Sequence, residues 1–259
     1  GIRGDCSVEC WGDNWDNSDA TPPPNSLVEV SAGGGFACGL EPGHEIVCWE
    51  ADREEDSGSA SQEEPSGEFQ NLAADGGAHA CAIDESGEVA CWGWNGYGQT
   101  DNPPGDYVSV TAGLSHSCGI LESGEISCWG SDHLGQLGSP DGEFSSISAG
   151  GNHTGALNNL GLVICWGKDD YDQSTPPQQS FVEIDGGVDH TCARENDGSI
   201  TCWGLYQPDG SGSSNHADVP DGQFERVTAG GAHSCGWRDD GTYECWGSNL
   251  HVPVDPSHA

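Results

Sequence analysis

The tripeptide Cys-Trp-Gly recurs at nearly constant spacing and constrains this chain more than any other feature. It starts at Cys10, Cys91, Cys128, Cys165, Cys202 and Cys245, and a seventh copy reads Cys48-Trp49-Glu50. Successive intervals are 38, 43, 37, 37, 37 and 43 residues. A second motif, Ala-Gly-Gly-x-His-x-Cys with variation, precedes every copy but the first, at 32–38, 75–81, 112–118, 149–155, 185–192 and 229–235. An apolar residue opens each unit: Leu27, Phe69, Tyr107, Phe144, Phe181 and Phe224. Units of this length cannot bury an apolar face alone and must stack on their neighbours.

Within a unit the residues read as short strands. Phe181-Val182-Glu183-Ile184 alternates in and out, His190-Thr191-Cys192-Ala193 forms a second strand and Ser199-Ile200-Thr201-Cys202-Trp203 a third. Asn196-Asp197-Gly198 between the last two is a hairpin turn in which Gly supplies positive φ. A fourth, short edge strand is a further option. Several strands per ~40-residue period mark a β-propeller. The fold class expected is all-β, one propeller domain over 1–259. Its units fall at about 13–48, 49–91, 92–128, 129–165, 166–202 and 203–245. Seven blades are expected, with a thin closing blade made from 1–12 and 246–259. Six blades are the alternative, because only six second-motif halves exist.

Cysteine spacing makes an independent statement. Cys38/Cys48, Cys81/Cys91, Cys118/Cys128, Cys192/Cys202 and Cys235/Cys245 each lie ten residues apart across a turn. That places each pair opposite one another on antiparallel strands, near the span a disulfide needs. Five bridges are expected. Gly155 stands where the partner of Cys165 would be, leaving Cys165 free or paired elsewhere; Cys6 and Cys10 are too close for a comfortable hairpin bridge, and a bridge between them stays open as an alternative. Thirteen cysteines without CxxC knots point to an oxidising place, whether extracellular, periplasmic or cell-surface. No ~20-residue apolar span is present, and the absence of an initiator Met leads to the expectation of a processed chain.

Charge narrows the partners. Six Lys and Arg stand against 43 Asp and Glu, a formal net charge of −37. Such a surface repels nucleic acid, whose binding rests on basic side chains, and does not favour membrane insertion. It favours partners with basic patches.

The residues quoted above, with the Gly98-Gln99 and Gly135-Gln136 pairs that follow two of the Cys-Trp-Gly copies, resemble the repeat of the regulator of chromosome condensation family. The nearer resemblance is to its bacterial secreted branch, which includes a propeller-type β-lactamase-inhibitory protein. The resemblance implies a seven-bladed ring; in that branch an aromatic-lined face grips a partner protein.

His79, His116, His153, His190 and His233 recur in one position, with Phe36 in the first unit. Equivalent positions in a propeller lie too far apart to share an ion, so no metal is expected and the imidazoles are read as ties to neighbouring backbone. The Trp of each motif is read as packing. The segment after Cys-Trp-Gly varies between units and carries spare aromatics: Trp15, Trp94, Tyr97, His133, Tyr171 and Tyr206. Variable loops on a rigid frame are where binding surfaces are built, so these six are the binding-face candidates. No catalytic set stands out from the repeat, and no cofactor is expected. The function expected is a non-enzymatic secreted or cell-surface scaffold that recognises a protein or glycan; the alternative is a structural subunit of a filament or surface layer, self-assembled through strand or edge contacts.

Overall fold

The structure, a computed structural model, describes Val8 and residues 22–50, 64–204 and 219–247. The regular elements in these residues are strands. The first sheet is β1 (Glu29–Ala32), β2 (Phe36–Leu40) and β3 (Ile46–Glu50); the second is β4 (Phe69–Ala73), β5 (His79–Asp84) and β6 (Val89–Gly93). The third is β7 (Tyr107–Ala112), β8 (His116–Leu121) and β9 (Ile126–Gly130); the fourth is β10 (Phe144–Ala149), β11 (His153–Asn158) and β12 (Val163–Gly167). The fifth is β13 (Glu183–Gly186), β14 (His190–Arg194) and β15 (Ile200–Gly204); the sixth is β16 (Arg226–Ala229), β17 (His233–Trp237) and β18 (Tyr243–Gly247). Each sheet is an antiparallel three-stranded meander in chain order. The first strand of each blade touches that of the next, which makes it the inner strand of a propeller.

Six blades among the described residues fit the alternative count. The thin closing blade falls almost wholly on residues outside the description. Among the described residues no sheet acquires the fourth strand considered from sequence. Beside the outer strands of blades 2 and 3, loop side chains instead bond the outward carbonyls: Asn102 Nδ2 donates to Val89 O and Ser139 Oγ to Ile126 O.

The expected first strand at Phe181 is shifted. β13 begins at Glu183, and blades 2, 3 and 4 show the reason as a register break after the opening aromatic (Phe69/Asn71, Tyr107/Ser109, Phe144/Ser146). The bulge lets two residues oppose one. It turns the opening aromatic into the core, where Phe181 is 2% exposed, and leaves Val182 outside.

The core lies between blades rather than within them. Cys81, Ile83 and Val89 of blade 2 pack with Tyr107, Val110 and Trp129 of blade 3. Cys118 and Ile120 pack likewise with Phe144, Ile147 and Trp166. The Cys-Trp-Gly tryptophan therefore covers the preceding blade. The five expected bridges join the paired cysteines at Cα–Cα 4.0 Å, and Cys165 faces Gly155 with a free thiol.

Around the central channel, an inner-strand side chain of one blade accepts a hydrogen bond from a backbone N–H of the next. Leu72 N donates to Glu29 Oε1, Val110 N to Asn71 Oδ1, Ala149 N to Thr111 Oγ1, Gly186 N to Ser148 Oγ and Ala229 N to Asp185 Oδ2, at 2.8–3.1 Å. These bonds satisfy inner-edge donors that would otherwise be open.

Candidate functional site

The loops that follow the outer strands are held on a common frame. Gln99, Gln136 and Gln173 are buried. Each Oε1 accepts the backbone N–H two residues earlier, from Tyr97, Leu134 and Tyr171, at 2.8–2.9 Å. Their carbonyls accept the indole N–H of the next blade's tryptophan: Trp129 to Gln99 O, Trp166 to Gln136 O and Trp203 to Gln173 O. The residue before each Gln has positive φ: Gly98 (79°), Gly135 (80°) and Asp172 (61°). Asp is among the few side chains that tolerate this region, so Asp172-Gln173 is a third copy of the Gly-Gln pair that sequence reasoning missed. Asn95, Asp132 and Asp169 close each turn by accepting the N–H of Thr100, Leu137 and Ser174.

This frame pushes Tyr97, Leu134 and Tyr171 outward at equivalent positions of consecutive loops. Tyr97 is 50% exposed, Leu134 46% and Trp94 38%. The structure brings three of the expected residues together. Trp94 and Tyr97 meet edge-to-face with centroids 5.3 Å apart and an interplanar angle of 86°, and Tyr97 meets His133 at 5.6 Å and 85°. Gly96 makes the first contact possible, since a Cβ there would lie 2.4 Å from the Trp94 ring. Tyr171 stands apart from this trio, with the Lys168 ammonium 4.9 Å from its centroid; Lys168 also pairs with Asp189 Oδ1 at 2.8 Å. Trp15 and Tyr206 lie outside the described residues.

Four of the repeated histidines, His79, His116, His153 and His190, are sealed inside the frame. Their ring Nε2 atoms reach the next blade's middle strand at 2.8 Å: His79 to Ser117 Oγ, His116 to Thr154 Oγ1, His153 to Thr191 Oγ1 and His190 to Ser234 Oγ. Ser117 and Thr191 donate onward to the carbonyls of Gln99 and Gln173. These two hydroxyls therefore accept from the histidine, which assigns the Nε2–H tautomer to His79 and His153. The histidines thus tie blade to blade through a side-chain hydroxyl, and for His79 and His153 that hydroxyl passes the tie on to backbone, where direct backbone ties were expected from sequence. Burial holds His79 and His153 down at about 4 and His116 at about 3. The glycines beforehand belong to the same arrangement: a Cβ on Gly113 or Gly150 would meet the His116 or His153 ring at 2.4 or 2.3 Å.

The channel is acidic. Asp75 opens to channel water yet is walled by protein; that desolvation, then the charge of Asp185, raises its carboxyl to about 7. Desolvation likewise raises Asp185 and Glu29. Among the described residues no three His, Cys, Asp or Glu side chains gather as a metal site, and no helix is long and apolar enough to cross a membrane.

Comparison with known proteins places this frame. The family profile described as Regulator of chromosome condensation (RCC1) repeat matches residues 70–99 and 107–136. The fold is similar to the Crinkly WD40 ectodomain of the Arabidopsis thaliana receptor kinase ACR4, with TM-score 0.72, 25% identity, and coverage of 91% of this chain and 84% of that one. It is similar to the ectodomain of the Physcomitrella patens receptor kinase CR4, with TM-score 0.72, 26% identity and coverage of 91% and 69%. Prp20p of Saccharomyces cerevisiae shares the fold at TM-score 0.71 and 18% identity, over 90% and 78%. No curated protein matches the sequence. The chain carries repeats of the RCC1 type and folds as a propeller of that type.

Proposed function

We propose that this RCC1-type propeller is a non-enzymatic extracellular or cell-surface scaffold, and that it binds a protein or glycan through the face bearing the Trp94, Tyr97 and His133 loops. The observation that carries the reading is the aromatic trio itself: three rings, each partly open to solvent, on loops fixed by buried glutamines rather than left to loop motion. Rigid aromatics on a preorganised frame are the usual anchors of recognition. Five disulfides and the likeness to two receptor ectodomains support an oxidising location.

The test immobilises the chain and a Trp94→Ala/Tyr97→Ala variant against secreted proteins and surface glycans from its source. Retained species should bind the variant about tenfold or more weakly, with its melting temperature nearly unchanged because both rings lie outside the core. Equal retention on the two surfaces would remove this face from the binding site.

The subunit alternative is favoured by one observation on the rim of blade 4. Leu160 (77% exposed), Leu162 (41%) and Ile164 (38%) stand where blade 3 has Ser123, Glu125 and Ser127. The edge itself is partly covered, by the Leu162–Ser180 bridge and by Ser174 Oγ on Trp166 O, but the apolar side chains beside it offer a second copy a surface to pack on. Light scattering should then report oligomers that Leu160→Glu/Leu162→Glu dissolves; a wild-type monomer at high concentration removes the alternative.

A further inference from the structure

The trio stands at a position where the same loop, two blades on, already holds a cation. The loops starting at Trp94 and Lys168 share their turn closure, their positive-φ residue and their buried Gln. Position for position, Trp94 corresponds to Lys168 and Tyr97 to Tyr171. In the second loop the only lysine in the chain rests its ammonium 4.9 Å from the Tyr171 centroid, and Asp189 neutralises it at 2.8 Å. In the first loop the lysine is replaced by tryptophan, and among the described residues no cation stands over the tyrosine.

The replacement changes the geometry. Trp94, Tyr97 and His133 stand as successive walls, each nearly perpendicular to the next. A corner of perpendicular rings exposes more than one π-face to the same point, the arrangement by which aromatic cages take ammonium groups. Carboxylates belong to the same loops. Asp101, held by Asn95 Nδ2 at 2.8 Å, lies beside Gly98, and Asp132 precedes His133. A charge of −37 on the whole chain draws cations toward it.

We infer that the corner formed by Trp94, Tyr97 and His133 receives a lysine or arginine side chain from a basic polypeptide segment. The inference rests on the binding-face reading above and narrows it to one ligand chemistry. The trio supplies the aromatic floor that Lys168 has in Tyr171; Ser115 stands where Asp189 does, so the partner's cation meets the rings without that fixed counter-charge. The cation comes from the partner because the loop has none.

The experiment titrates two soluble peptides, identical except that one carries a central lysine and the other norleucine, onto the full chain at 0.15 M salt. Calorimetry gives the affinities, and fluorinated tryptophan reports the Trp94 environment. The lysine peptide should bind about threefold to tenfold more tightly than the norleucine peptide. Tyr97→Leu keeps the charge and most of the apolar area but removes a π-face, and should erase most of that ratio. Gly96→Ala changes no ring and no charge but forces Trp94 off Tyr97, and should lower the ratio similarly. A ratio near one on the wild-type chain overturns the inference, as does a ratio that survives both substitutions. A neutral oligosaccharide that binds the trio while the ratio stays near one leaves the face reading standing and sinks the cationic ligand. Partner capture unaffected by Trp94→Ala/Tyr97→Ala sinks the face itself.

Discussion

Acidification from pH 6.5 to pH 4 is expected to strip several kcal/mol from the stability of this chain, with the buried histidines as the cause. His79, His116 and His153 sit at 0% exposure, bridge successive blades through Nε2, and are held neutral by burial well below their ordinary value of 6.5. A base whose folded value is depressed takes up its proton first in the unfolded chain. Its contribution is whole above pH 6.5, falls as the pH drops, and is gone below about 4 for His79 and His153 and about 3 for His116. Inside that window each one costs about 1.4 kcal/mol per pH unit. Asp75, Asp185 and Glu29 act in the opposite sense, since their raised values favour the folded state as they protonate. Asp75 and Asp185 are open to channel water, so screening weakens their share. Relief of mutual repulsion among 43 acidic residues also opposes the loss. A difference measurement isolates the histidines. His116→Gln keeps a donor near Thr154 and does not titrate. Urea midpoints at pH 7, 6 and 5 should show the variant weaker at pH 7 but with a smaller pH slope, the difference approaching about 1.4 kcal/mol per unit between pH 6 and pH 5. Parallel wild-type and variant slopes would clear His116 of the acid sensitivity.

Much of this architecture is written locally in the repeat, and that part was legible. Cysteines ten apart across a glycine turn can only face each other on a hairpin, and the opening aromatics mark where each blade enters the core. What sequence reading missed is written between units. The hydroxyl that takes each of these histidines is the residue after the next blade's histidine: Ser117, Thr154, Thr191 or Ser234. The signal was present. Where the histidine becomes Phe36, the next blade's hydroxyl becomes Ala80, and the two share a core cluster. Likewise the aromatics of the variable loops could be named, but their contact could not. Trp94 reaches Tyr97 only because Gly96 leaves room, and His133 reaches it only because adjacent blades set neighbouring loops side by side. Tyr171 looked equivalent and is occupied by Lys168.

Gly155→Cys is expected to install a sixth staple and raise stability by about 2 kcal/mol, within the 2–3 kcal/mol that closing so short a loop can provide. Gly155 faces Cys165 in the register that places the five bridged pairs opposite one another. A Cβ built on it would lie 3.1 Å from Cys165 Sγ, close to the roughly 3 Å that bond geometry sets between a cysteine Cβ and its partner sulfur. The obstacle is Ile184 Cδ1, 2.5 Å from that Cβ. It is the tip of a flexible side chain, and blade 4 already answers whether it can yield: Ile147 holds the same post against the bridged Cys118. Removing a strand glycine adds a further gain of about 0.5–1 kcal/mol. Burial, reinforced by Asp169, pushes the Cys165 thiol far up, so little thiolate is available in the folded chain. The bridge should therefore form during oxidative refolding and poorly on exposure of the folded variant to oxidant. Non-reduced peptide mapping should find 155 linked to 165, with a urea midpoint above wild type. A linked variant no more stable than wild type would mean that Ile184 cannot move as Ile147 does, and that blade 4 has settled around its missing sulfur.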